Sequence, residues 1–110
     1  SGRLKALAVT SAQPSAALPE VPTVEQAGGL KGFEASSWFG LLGPAGLPPE
    51  IVNRIQQEVA KSLASPAMKE KLLAQGAIPS GNTPAQFAQL IDSELKKWQP
   101  VVKASGAKVD

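Results

Sequence analysis

Two pairs of adjacent hydroxyl residues, Thr10-Ser11 and Ser36-Ser37, are the side chains in this sequence whose type and spacing best suit ligand recognition. A hydroxyl donates one hydrogen bond, and beside unpaired backbone N–H groups it can cradle a carboxylate. The same residue types also serve turns and strands, so each pair has a structural reading beside the functional one. The second pair runs directly into Trp38 and Phe39. In an extended chain these two rings point to opposite faces, so one of them at most can wall a given cleft. Phe39 is expected in the core, whereas Trp38 suits a pocket wall or the core equally.

Other chemistries lack their residue types. The 110 residues include no His and no Cys, which removes the commonest general base, the thiolate nucleophile and two major metal ligands. Glu20, Glu25, Glu34 and Glu50 have no second carboxylate at ligand spacing. They are expected on the solvated surface, and no catalytic residue, metal or cofactor is expected. A hydrolase built on Ser36 or Ser37 would need a lysine as its base, which makes an enzyme the lesser alternative. The run Gly43-Pro44-Ala45-Gly46-Leu47-Pro48-Pro49 precedes a helix but lacks a Gly-Lys-Ser/Thr ending, and its last two residues offer no N–H to a phosphate. A structural corner is expected there. Eleven Lys and Arg are interspersed with nine Asp and Glu, for a net charge of +2, so nucleic acid is not an expected partner. No apolar run is long enough to span a bilayer. The first residues carry no apolar core of a secretory leader, so a leader for export would lie outside this sequence.

The elements that hold these residues follow from spacing and punctuation. Leu4–Thr10 is an uncapped, mostly apolar run that reads as a strand buried on both faces. Residues 11–22 contain Pro14, Pro19 and Pro22 and read as a loop. Thr23-Val24-Glu25-Gln26 has the form of a capping box, and Gly28-Gly29 ends that helix early. Phe33–Leu42 reads as a second strand. Pro48-Pro49 opens a helix in which Ile51, Val52, Ile55, Val59 and Leu63 form one apolar stripe. Ser65-Pro66 caps the next helix, which buries Met68, Leu72 and Leu73 and ends at Gly76, with Ala77–Pro79 at most a short edge strand. Thr83-Pro84-Ala85-Gln86 is a second capping box, followed by Phe87, Leu90, Ile91, Leu95, Trp98 and Val102 on one packing face. Pro100 predicts a kink or an early end, and Gly106 is the latest stop. Two strands do not make a stable open sheet. The sequence therefore predicts part of a larger α/β protein, its sheet completed elsewhere in a longer chain or by another copy.

Five blocks in order carry a resemblance: Gly2-Arg3-Leu4-Lys5-Ala6-Leu7-Ala8-Val9-Thr10-Ser11, Leu18-Pro19-Glu20-Val21-Pro22-Thr23-Val24-Glu25-Gln26-Ala27-Gly28, Ser36-Ser37-Trp38-Phe39-Gly40-Leu41-Leu42, Pro44-Ala45-Gly46, and Gly81-Asn82-Thr83-Pro84-Ala85-Gln86-Phe87. Together they resemble the C-terminal part of the Bug/TctC family, the extracytoplasmic solute receptors of tripartite tricarboxylate transporters. The resemblance implies an α/β fold, a C-terminal fragment of a two-lobed periplasmic-binding-protein (type II-like) architecture with few strands packed by several helices. Residues 1–11 would form an interlobe crossover strand, and 12–110 the C-terminal portion of the first lobe, as a single partial domain. It further implies a periplasmic location, a small carboxylate ligand and membrane permease subunits as partners. Thr10, Ser11, Ser37 and Trp38 are the expected ligand-binding positions. Phe39 stands where the family often has Tyr, which removes a hydroxyl. Self-association of this chain through its exposed sheet edge is expected as well. A stand-alone interaction module, whose groove takes a partner helix or strand, is the alternative from another class.

Overall fold

The computed structural model describes residues 3–108, so the first two residues of the expected crossover strand lie outside the described residues. Four helices follow one another: α1 (Val24–Gly28), α2 (Pro49–Ala64), α3 (Pro66–Ala74) and α4 (Pro84–Ser105). They belong to two compact units. One ends at Ala45 and takes in Ser65–Pro79, and the other holds Gly46–Ala64 with the residues from Ser80 onward.

In the first unit, α1 starts at the predicted capping box. The Gln26 amide donates to Thr23 Oγ1 at 3.2 Å and the Thr23 amide to Gln26 Oε1 at 3.0 Å, which satisfies two helix-start donors reciprocally. Gly29, with φ 66°, closes the helix in the left-handed conformation. Thr23 is only 3% exposed, because the chain before it runs parallel to the segment at Val9. The Val9 amide donates to the Pro22 carbonyl, and the Val24 amide to the Val9 carbonyl, each at 2.9 Å. α3 starts at Pro66, but the Ser65 side chain makes no cap bond to it, contrary to expectation. It ends as predicted at Gly76, where the Gly76 and Ala77 amides return to the carbonyls of Leu73 and Leu72. That pair of bonds is the Schellman arrangement.

The two predicted strands form no ladder among the described residues. Leu4–Thr10 makes one bridge, at Val9, and Leu4 is 95% exposed where burial on both faces was expected. Residues 33–42 belong to no strand and contribute one bond to a neighbouring segment, from Ala35. Ala77–Pro79 is likewise outside any strand. The physical reason is pairing: a strand satisfies its backbone only beside a neighbour, and the loop that returns to Val9 is interrupted by Pro14, Pro19 and Pro22. Without a sheet to cover them, these apolar segments stay exposed. No described hydrophobic residue is fully buried.

In the second unit, α2 packs against α4. The half-buried side of α2 carries Val52, Gln56, Ala60 and Leu63, and α4 brings Phe87, Leu90 and Ile91 to half burial. Gln56 fixes the turn before α4 by donating from Nε2 to the carbonyls of Gly81 (3.1 Å) and Asn82 (3.4 Å). Gly81 has φ 65°, and a Cβ there would sit 3.3 Å from Ala60 Cα, so both conformation and space call for glycine. The second capping box forms as predicted, between Thr83 and Gln86. α4 then continues through Pro100 to Ser105 and stops at left-handed Gly106. The early end expected at Pro100 is absent because residues 99–105 are exposed, so water can take the Lys96 carbonyl that Pro100 leaves without a donor. Trp98, expected to pack, is 37% exposed, and its indole N–H donates to Glu94 Oε2 at 2.8 Å. Among the described residues, no helix is long and apolar enough to cross a membrane.

Candidate functional site

Both hydroxyl pairs lie in the first unit, and the backbone brings them to neighbouring segments. The parallel bridge at Val9 fixes the point where the first segment ends, so Thr10 and Ser11 leave it directly beside the start of α1. The loop beyond is folded by local bonds: Ser11 Oγ donates to the Gln13 carbonyl at 2.7 Å, and Leu18 and Val21 amides return to the carbonyls of Ser15 and Leu18. The Ala35 amide donates to the Thr10 carbonyl at 2.9 Å. Ser36, Ser37 and Trp38 therefore leave from the same place as Ser11, on the adjoining strand of chain.

The four expected positions, Thr10, Ser11, Ser37 and Trp38, and their neighbour Ser36 differ in exposure and bonding. Thr10, Ser36 and Ser37 are exposed, and their hydroxyls make no hydrogen bond among the described residues. Each keeps its donor for a ligand. The Ser11 hydroxyl is committed to its own turn, so its contribution to a site is its backbone N–H. Trp38 is 42% exposed, consistent with a ring that is partly packed and partly open. Phe39, expected in the core, is instead 94% exposed, because the face it points from has no sheet or helix over it. Trp38 is the more covered of the two rings.

No charged residue occurs from Ala35 through Pro49, so an anion here would be held by hydroxyl and amide dipoles rather than by an ion pair. Among the described residues, no group of three or more acidic residues stands where it could hold a metal ion. Glu34 departs from its expected place on the open surface, being half-buried. At the end of the Gly43–Pro49 run the Pro48 carbonyl accepts from the Ile51 and Val52 amides in the first turn of α2.

One residue important to this geometry was not singled out from sequence, and a second was read only as a helix cap. Ala35 joins the segments through a main-chain amide, which has no residue signature. Thr23 was recognisable as a cap, but its burial beside Val9 arises from a parallel pairing that local pattern does not report.

A family model described as Tripartite tricarboxylate transporter family receptor matches residues 1–107. The UPF0065 protein in the tcbD-tcbE intergenic region of Pseudomonas sp. (strain P51) is 40% identical over 100 residues, covering 91% of this chain and 30% of that protein. Protein BugT of Bordetella pertussis is 38% identical over 109 residues, covering 99% of this chain and 33% of BugT. Among solved structures, R. palustris Rpa4515 with adipate aligns with a TM-score of 0.77 at 37% identity, covering 91% of this chain and 33% of its own. The chain thus spans about a third of the length of these relatives. The structural likeness bears out the expected α/β, periplasmic-binding-protein-like fold, of which the chain covers a part.

Proposed function

Because the chain belongs to the tripartite tricarboxylate transporter receptor family, we propose that it forms one wall of a small-carboxylate site in an extracytoplasmic solute receptor. The role is capture, with no covalent chemistry. Thr10 and Ser37 donate from their hydroxyls, Ser11 from its backbone N–H, and Trp38 lies against the carbon chain of the acid. A neutral wall suits this task, since dipoles can hold a carboxylate firmly while leaving it free to exchange. The receptor works in the periplasm and hands its ligand to membrane permease subunits. In this reading residues 1–11 cross between two lobes, residues 12–110 complete the first lobe, and closure of the second lobe over the acid supplies further affinity.

The observation that supports the reading is the 2.9 Å bond between the Ala35 amide and the Thr10 carbonyl, which joins the two segments that carry the hydroxyl pairs. Adipate in the solved relative supports a dicarboxylate as the first ligand class to test. Calorimetric titration of the 110-residue chain with succinate, adipate, citrate and glutamate tests it. Saturable heat with at least one acid is expected, and a folded sample silent to all four overturns the claim that these residues carry the determinants. The serine-hydrolase alternative is not favoured, because the matching family is one of solute receptors.

A further inference from the structure

Among the described residues Thr23 alone is buried, with 3% of its surface exposed. Its backbone and side chain both serve α1. The Thr23 amide donates to Gln26 Oε1 at 3.0 Å, its hydroxyl oxygen accepts the Gln26 amide at 3.2 Å, and its carbonyl accepts the Ala27 amide at 2.9 Å. These bonds hold the Thr23 backbone extended, at φ −73° and ψ 161°. An extended residue turns its own N–H and C=O to one side and the flanking C=O and N–H to the other. Here the flanking groups are the Pro22 carbonyl and the Val24 amide, and Val9 takes both, each at 2.9 Å. The Val24 amide lies in the first turn of α1, where no carbonyl of its own helix can reach it. The helix start thus grips Val9 with a donor that would otherwise be left unpaired.

Val9 passes this order to Thr10. The Val9 carbonyl belongs to the peptide that enters Thr10, and the Thr10 carbonyl, held by the Ala35 amide at 2.9 Å, belongs to the peptide that leaves it. Peptide groups are planar. With both of them fixed, the direction in which the Thr10 side chain leaves its Cα is fixed as well. We propose that Thr23 is a positioning residue of the carboxylate site: through Gln26 and Val9 it aims the Thr10 hydroxyl, while lying buried out of the ligand's reach. The inference rests on the carboxylate reading given above. It divides the work between two threonines. Thr23 makes the scaffold's hydrogen bonds, and the Thr10 hydroxyl makes none among the described residues. A donor fixed before the ligand arrives has less freedom to lose on binding, so affinity depends on the cap.

Four variants of the 110-residue chain test the proposal, read by calorimetric titration with adipate and by amide hydrogen exchange without ligand. Thr23→Ala and Gln26→Ala are each expected to weaken adipate binding at least about threefold, within what a helix cap is worth, and to speed exchange of the Ala35 amide. Thr23→Ser keeps the hydroxyl and should match the parent chain in both. Thr83→Ala breaks the same kind of box at α4 and should leave both unchanged, which separates positioning from a general loss of stability. Gln26 is exposed, so Gln26→Ala decides if Thr23→Ala does not fold. Unchanged Ala35 exchange in the two cap variants overturns the proposal, and so does faster exchange with unchanged affinity. Thr83→Ala weakening adipate as much as Gln26→Ala overturns it too. A parent chain silent to adipate overturns the carboxylate reading instead. Exchange then decides the positioning alone: a faster Ala35 amide only in the Thr23→Ala and Gln26→Ala chains supports it, and equal rates in all chains overturn it.

Discussion

The Ala35 amide donates to the Thr10 carbonyl at 2.9 Å, and through this one bond the two hydroxyl pairs of the chain leave from neighbouring points. Thr10 follows a residue anchored on its other side, since Val9 bridges Thr23. The first segment is therefore held between the start of α1 and the segment that carries Ser37 and Trp38. The candidate site would thus be positioned by main-chain bonds, while the Thr10 and Ser37 hydroxyls make no hydrogen bond among the described residues.

Replacing Ser37 with Ala removes a hydroxyl that is exposed and unbonded among the described residues. Folding stability should stay within about 0.5 kcal/mol. Carboxylate affinity should fall about tenfold or more, the worth of a hydrogen bond to a charged group. Thermal denaturation and calorimetry on the same samples separate the two effects.

The two capping boxes should differ in strength. Thr23 is buried and Thr83 exposed, although both make the same pair of bonds with a glutamine three residues on. Thr83→Ala should cost about 1 kcal/mol, and Thr23→Ala nearer ~2 kcal/mol, at the upper end of the range for caps. Urea unfolding followed by circular dichroism checks the order, and equal losses would contradict the role given to burial.

Gly81 and Gly46 offer a second paired comparison. Both have positive φ, but a Cβ at Gly81 meets the Ala60 backbone at 3.3 Å, whereas one at Gly46 meets nothing within 4 Å. Gly46→Ala should cost about 1–2 kcal/mol from backbone strain alone. Gly81→Ala should cost more, because the close contact adds to the same strain. The shift in urea midpoint for each variant measures the difference.

Pro100 stands inside α4, near its exposed end. Pro100→Ala restores an N–H to the Lys96 carbonyl and removes the ring's crowding, so α4 should gain about 1–3 kcal/mol in local stability. Slower amide exchange at residues 100–104 is the expected sign. Unchanged exchange would mean that the proline costs this helix nothing.

Helix boundaries were legible in the sequence because their causes are local. Thr23, Thr83, Pro66, Gly76 and Gly106 act within a few residues of themselves, and each sits at the end it was assigned. Strands were legible only as composition. Leu4, Leu7, Leu41 and Leu42 are apolar enough for a buried sheet, yet they are exposed, since pairing depends on partners that periodicity cannot name. Phe39 fails as a core residue for the same reason. Of the candidate site, the hydroxyl pairs and Trp38 could be picked out by type. The bond that joins their two segments could not, because it runs through the amide of an alanine.

The central claim is best tested by titrating isotope-labelled chain with adipate and following each amide by NMR. The account predicts saturable shifts at Thr10, Ser11 and Ser37 and at the Trp38 indole N–H, with α2 and α4 unaffected. Shifts confined to α2 or α4, or none from a folded sample, would contradict it.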